Sequence, residues 1–428
     1  SVLTRYAAPT ILSVTSSSGG ALATAGTSLG SDTVGVVGLN FGPTCNDRCV
    51  SATYGGANGI TYAATCNVVT ANTNLECNTA AGVGTNLKWI VTVETQASIL
   101  KTTSVSYAAP TILSVTSSSG GALATAGTSV ESNTVSVVGT SFGPTCSGCV
   151  SATYGGASGT KYAATCNVVT ADTNLECNTA AGVGTNLKWI VTVETQASIL
   201  KTTSVSYAAP TILSVTSSSG GALATAGTSV ESNTVSVVGT SFGPTCSGCV
   251  SATYGGASGT KYAATCNVVT ADTNLECNTA AGVGADLKWI VTVGAQASNV
   301  EDTSVSYAAP TLTGISGSNS PTAGGTEMTL TGTNFGPPKS FLQSEASATY
   351  GPSGNVNVFN AGNCQVDSQT EMTCTTVAGK GKELRWSITV GGQSAGPLTS
   401  VLTRYAAPTI LSVTSSSGGA LSTAGTSS

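Results

Sequence analysis

The chain contains no histidine and almost no charge: Asp, Glu, Lys and Arg together make up 8% of its 428 residues, against about 25% in average soluble proteins. Without histidine, general acid–base chemistry would fall to carboxylates, and Glu131, Glu176 and Glu194 stand singly on apparent strand faces or turns. The net charge of −5 and the pI near 4.8 are spread thinly along the chain. No cluster of Lys and Arg exists. The nearest approach, Gly379-Lys-Gly-Lys-Glu-Leu-Arg385, is interrupted by Glu383 and reads as a solvated turn. That excludes the electrostatic footprint of a protein that binds nucleic acid or anionic lipid. No run approaches the ~18 apolar residues of a membrane span, so no membrane span is expected in this segment. The sequence opens on neither a methionine nor a signal peptide, which says little in an excised or mature segment.

What the chain has instead is repetition. Tyr6-Ala-Ala-Pro-Thr-Ile-Leu returns at Tyr107 and Tyr207, then in altered form at Tyr307, and again at Tyr405, in steps of 101, 100, 100 and 98 residues. Residues 73–184 and 173–284 are letter for letter the same, and the opening Ser1-Val-Leu-Thr-Arg-Tyr-Ala-Ala-Pro reappears at Ser400, 399 positions on. The reading is four units, 7–107, 108–207, 208–307 and a divergent 308–405. They are flanked by the last strand of a preceding unit (1–6) and the start of a fifth (406–428). This looks like a window cut from a longer array. If the polypeptide did end there, neighbouring molecules would be expected to complete each other's units by strand exchange. Units near 100 residues are long enough to bury their own cores, and stacked arrays present surface along a length rather than build one unique pocket.

A surface so poor in charge has a solubility problem, and two remedies fit: sugars on hydroxyls, or burial of the surface in an assembly. Ser and Thr make up roughly three residues in ten, and no Asn-x-Ser/Thr sequon is present. The candidates for O-linked glycans are Thr116, Ser117, Ser118 and Ser119, with Thr216, Ser217, Ser218 and Ser219 one unit on; the alternative is a plain polar loop.

Fourteen cysteines follow the repeat. Units one to three carry four each, and unit four has only the last two, Cys364 and Cys374. Cysteines that disappear as a pair are expected to be bonded as a pair: Cys45–Cys49, Cys66–Cys77, Cys146–Cys149, Cys166–Cys177, Cys246–Cys249, Cys266–Cys277 and Cys364–Cys374. Two alternatives stay open beside this. A Cys₄ zinc site prefers two close pairs, whereas the second pair here is eleven positions apart. A redox Cys-x-x-Cys at Cys146–Cys149 lacks a thioredoxin-like context and widens to Cys45-Asn-Asp-Arg-Cys49 in unit one. Structural disulfides place the chain in an oxidising compartment, extracellular or at the cell surface.

Period-two alternation dominates. Leu187, Trp189, Val191 and Val193 share one parity, Val135 and Val137 flank Ser136, and Val150, Ala152 and Tyr154 alternate before Gly155. The turn Ala171-Asp-Thr173 reads as a hairpin between Cys166 and Cys177, and Thr202–Tyr207 as the last strand. No stretch sustains a helical period. The pattern predicts an all-β chain of antiparallel sandwiches with about seven strands each.

These residues resemble the IPT/TIG family of immunoglobulin-like domains. The resemblance is carried by the opening Pro110-Thr-Ile, the turn Gly139-Thr-Ser-Phe-Gly-Pro144, its nearer form Gly332-Thr-Asn-Phe-Gly-Pro337, the Cys364/Cys374 pair, the turn Ala181-Gly-Val-Gly184 and the closing tyrosine. It covers essentially the whole chain and implies tandem immunoglobulin-like sandwiches in a linear array. The family is found in receptor ectodomains, transcription factors, bacterial surface proteins and secreted enzymes, so the resemblance does not select a function. The extra cysteine pair of units one to three departs from it.

No active site, cofactor or metal is expected. Asp172-Thr-Asn-Leu-Glu176 and its copy at Asp272 lack the glycine and closing glutamate of a calcium loop. Glu301-Asp302 reads as a solvated loop, and Ala181-Gly-Val-Gly184 lacks the lysine of a phosphate loop. Tyr207-Ala-Ala-Pro210 leaves almost no linker, and proline restricts both itself and the alanine before it, so Tyr207 is expected to pack at a stiff joint. The leading expectation is a structural protein, an extracellular fibre or rod-like appendage whose partner is itself, head to tail and laterally. The alternative is an adhesin or receptor stalk that binds glycans or another cell through a tip domain elsewhere. Accessory domains of a secreted hydrolase would require a catalytic domain this segment lacks.

Overall fold

The computed structural model describes residues 6–414 apart from 18, 25–32, 57–58, 100–102, 119, 126–133, 157–158, 200–203, 226–233, 257–258, 301–302, 318 and 339–345. Ser119, Glu131, Glu301 and Asp302, singled out above, lie outside the described residues. Among the described residues there is no helix.

In the first unit the strands are β1 (Thr10–Ser16), β2 (Thr33–Leu39), β3 (Cys45–Gly55), β4 (Thr61–Thr70), β5 (Asn74–Asn78), β6 (Leu87–Val93), β7 (Gln96–Ala97) and β8 (Ser104–Val105). They pair in the order β1-β2-β5-β4-β3-β6-β7, with β8 on β6, and every ladder is antiparallel. Units two and three repeat this order. β4 belongs to both layers: it pairs β3 over Thr61–Cys66 and, across a bulge, at Val68, and it pairs β5 over Thr65–Thr70. In the fourth unit its counterpart is split into Phe359–Asn360 and Gly362–Val366, and the path separates into two four-stranded sheets. The two faces of the sandwich follow from alternation: β5 reads half-buried, buried, exposed, buried, exposed from Asn74 to Asn78.

Each unit has its own core. In the second, Trp189 stacks on Tyr154 at 4.4 Å, among Val135, Val137, Leu175 and the Cys166–Cys177 pair. Stacked aromatics contribute about 0.5–1.5 kcal/mol beyond their buried area. The Gly-Thr-Ser-Phe-Gly turn has a packing cause: a Cβ at Gly139 would collide with Thr111 O and with the Phe142 ring, which is 1% exposed. Ser141 and Gly143 then sit at φ 63° and 84°, and the glycine takes that conformation without steric cost.

The closing tyrosine differs from its expected place. The Tyr207 ring is not in the joint but in the core of its own unit. Its hydroxyl donates to Ala180 O at 2.6 Å and lies 3.0 Å from the Tyr154 hydroxyl. Burial pushes the Tyr207 phenol far above its ordinary range, and Tyr154 is raised by the same desolvation. The backbone of this last segment is fastened by a parallel bridge, Leu123 to Tyr207, matched by Leu22–Tyr107 and Leu223–Tyr307. In the fourth unit the bridge extends to a two-residue ladder, Asn319–Arg404 and Ser320–Tyr405.

Candidate functional site: the joint between units

With three residues between Tyr107 and the strand starting at Thr111, the end of one sandwich meets the start of the next directly. The meeting is built from three side chains. The first is the valine of the Ala-Gly-Val-Gly turn. Tyr162 holds that turn by donating its hydroxyl to Val183 O at 2.9 Å and accepting from Val183 N at 3.0 Å. So held, Val183 packs against the core of the third unit, as Val83 does against the second. Val283 goes furthest: it is 2% exposed and belongs to the fourth unit's core. The receiving wall is the glycine after phenylalanine, since a Cβ at Gly143 would collide with Val83 and one at Gly243 with Val183.

The second contact is a hydroxyl from one unit reaching the hairpin turn of the next. Thr24 donates to Asp172 Oδ1, Thr125 to Asp272 Oδ1, and Thr225 to Gln369 Oε1 at 2.5 Å. The acceptor is aimed by its turn: Asp172 has φ 69°, and its backbone N–H donates to Gly143 O at 2.7 Å. The third contact comes from the β6–β7 hairpin. Gln196 Nε2 donates to Tyr107 O at 2.9 Å, Gln296 to Tyr207 O at 3.0 Å and Gln393 to Tyr307 O at 3.2 Å. The first two joints differ in a hydroxyl pair. Thr85 and Thr195 hydroxyls meet at 3.2 Å between units one and two, where the next joint has Thr185 and Ala295.

Asp172 and Asp272, read from the sequence as plain polar turns, are therefore joint residues. Reading one unit at a time hides them, because their partners lie 148 and 147 positions away. A signal was available in the glutamine, which stands at Gln96, Gln196, Gln296 and, in the divergent unit, Gln393. Another lies in the linked loss of two residues: where Phe359 replaces the turn-holding tyrosine, Lys380 replaces the valine.

The cysteines fall into two environments. Cys66–Cys77, Cys166–Cys177 and Cys266–Cys277 link directly opposed residues of β5 and β4 or their counterparts, with Cα atoms 4.0 Å apart and side chains fully buried. Cys364–Cys374 has 4.1 Å between Cα atoms. Cys45–Cys49, Cys146–Cys149 and Cys246–Cys249 span 6.3, 6.0 and 5.9 Å and close a bulge at the start of β3 or its counterpart. There Cys149 is exposed, and Gly148 N donates to Asn167 Oδ1 at 2.8 Å. Among the glycan candidates Thr116, Ser118, Thr216, Ser218 and Ser219 are exposed; Ser117 is turned inward and Ser217 is half-buried. Glu176 is exposed on its strand, and Glu194 stands in the β6–β7 type of hairpin at φ 53°. Among the described residues no group of three or more His, Cys, Asp or Glu is placed to hold a metal. No helix among them is long and apolar enough to cross a membrane.

The family model of the IPT/TIG domain matches residues 310–405. The match takes in the fourth unit, 96 of the chain's 428 residues. Units one to three share its strand pairings, its stacked Tyr–Trp core and its closing tyrosine, so the chain is a tandem array of immunoglobulin-like sandwiches. No curated protein matches the array in sequence. Among solved structures, the tetra-tandem repeat in the extending region of a large adhesion protein is 16% identical, covering 91% of the array and 98% of that chain at a TM-score of 0.26. The full extracellular region of plexin A4 is 13% identical, with 83% of the array and 34% of that chain covered at a TM-score of 0.21. The S-layer protein rSbsC(31-844) is 12% identical, covering 97% and 58% at a TM-score of 0.16. The array spans between about a third and a half of the two plexin A4 extracellular regions it matches.

Proposed function

We propose that this tandem array is a length of an extracellular structural rod or fibre, non-catalytic, whose main partner is its own kind, joined head to tail. The observation that carries the reading is the recurrence of one contact set at three successive joints: a valine into the next core, a hydroxyl onto the next hairpin, and a glutamine onto the preceding tyrosine carbonyl. Repeated contacts of the same kind fix nearly the same rotation at each step, and near-constant rotation yields an extended object of defined pitch. A flexible linker would spend that order as entropy. The buried disulfides fit an oxidising exterior. Sugars on Thr116, Ser118, Thr216, Ser218 or Ser219 would supply the solubility that charge does not.

Electron microscopy of native material tests the proposal. Filaments with an axial repeat of one or four units are the expected result. Isolated short rods under the same conditions would overturn the fibre and favour an adhesin or receptor stalk.

A further inference from the structure

The few charges on the strands are sorted by face. In the second unit, the strands equivalent to β1, β2 and β5 carry one charged residue, Glu176, exposed on the outer face. The strands equivalent to β3, β4 and β6 carry two, Lys161 and Lys188, also exposed, and no carboxylate. The lysines share one row of the sheet. Gly155 pairs with Lys161 on one side and with Lys188 on the other, and Lys188 pairs with Ser204 beyond. Neighbouring strands lie about 4.8 Å apart, so the two lysine Cα atoms stand about 10 Å from each other across a residue with no side chain. A groove of about 630 Å³ opens there, lined by both lysines, Gly155, Ile190 and Ser204. The third unit repeats it with Lys261, Lys288 and Ile290 in a groove of about 160 Å³.

The opposite face is its complement. Around Glu176 it exposes Leu113, Val138 and Val169, which are 56%, 38% and 46% accessible, and the third unit exposes Leu213, Val238 and Val269 beside Glu276. The divergent fourth unit keeps the polarity, with its carboxylates at different positions and its cation, Arg385, at the place of Lys188. Glu327 and Glu371 are exposed on its first sheet, and Arg385 pairs with Gly351 on its second. Sorting that survives where the individual residues have changed belongs to the surface rather than to one copied sequence.

We propose that the lysine-flanked groove of one rod receives the carboxylate and aliphatic face of a second copy of this chain, so that rods associate side by side. The proposal rests on the fibre reading for its purpose but not for its test. Charge complementarity selects the occupant: the two faces have opposite sign and, in units two and three, recur at a spacing of one unit, whereas unit one has Thr61 in place of the first lysine. Because they are different faces of one molecule, the contact is heterologous, and where its rotation does not close a ring it extends into sheets or bundles. Few charges elsewhere leave little like-charge repulsion to oppose it. A sugar on Thr116 would stand near Glu176, since Ser136 pairs with both residues; modified rods are therefore expected to stay apart.

The test uses the whole chain, oxidised and free of glycans, in sedimentation velocity from about 0.05 M to about 0.5 M salt, over which the Debye length falls to about 4 Å. The expected result is association at low salt that weakens at least about tenfold at high salt. Reversing the groove (K161E, K188E, K261E, K288E) or the opposite face (E76K, E176K, E276K) should each abolish it. Mixing the two variants should restore it, because each then offers what the other lacks. Circular dichroism confirms that both fold. Association that ignores salt, survives either reversal, or is not rescued by mixing overturns the proposal. Association only on adding an anionic polysaccharide, lost with the lysines but not with the glutamates, overturns it in favour of a polyanion ligand. Single unbundled filaments at low salt would refute the lateral contact and leave the fibre standing; short rods that still pair would do the reverse.

Discussion

The joint makes a prediction that a chain of independent beads would not. Val283 is attached to the third unit, where its backbone is held by Tyr262 at 3.0 and 3.1 Å, yet its side chain is part of the fourth unit's core. Val283→Ala removes two methyl groups from a site only 2% exposed. At about 0.8 kcal/mol per buried carbon, plus a cavity that closes only in part, the loss is about 1.5–2.5 kcal/mol. It should fall on the unit that receives the side chain, because the turn that carries it keeps both hydrogen bonds to Tyr262. For a domain of this size that lowers the midpoint of the fourth unit by about 6–20 °C. Hydrogen exchange read by mass spectrometry on the full chain separates the units. Peptides from 371–375 and 385–390 should lose protection, and those from 274–278 should not. If 274–278 loses protection instead, or neither set changes, the valine does not couple the units and the joint argument fails.

Three further outcomes follow from the same geometry. Replacing Cys166 and Cys177 by alanine removes a buried staple on a 12-residue loop and should cost the second unit about 3 kcal/mol; the shorter, more exposed Cys146–Cys149 loop gives at most about 2. Calorimetry that ranked the exposed pair above the buried one would contradict this. Trp386 Nε1 donates to Thr403 Oγ1 at 2.9 Å, whereas the indole N–H groups of Trp89, Trp189 and Trp289 are buried without a partner among the described residues, with valine at the matching position. Val205→Thr should therefore stabilise the second unit by about 0.5–1.5 kcal/mol, and a lowered midpoint would show that the hydroxyl does not reach. Finally, the raised phenols of Tyr154, Tyr207 and Tyr254 make the fold sensitive to alkali. Their folded values lie above the unfolded value near 10, so stability is fully present below pH 10 and is lost as the pH rises beyond it. Phenolate absorbance of these residues should rise together with loss of circular dichroism; ionisation well before unfolding would refute their burial.

The sequence by itself determined the class of fold, because period-two alternation and the Gly-x-x-Phe-Gly turn are local signals. Val135, Val137, Trp189 and Val191 are buried on the parity that alternation assigns, and Gly139 is glycine because the ring of Phe142, three residues on, lies against it. It also determined the period, since repetition is visible without coordinates. Tertiary structure decided where the ends of a unit point. Tyr207 turned inward because its hydroxyl finds Tyr154 and Ala180 in its own core, leaving the joint to Val183 in its turn and to Gln296, whose partner is the carbonyl of Tyr207 in the preceding unit. The same holds for the sorting of charge. Lys161 and Lys188 are 27 positions apart and become neighbours only across Gly155, because strand order, not chain order, brings them to one row of the sheet.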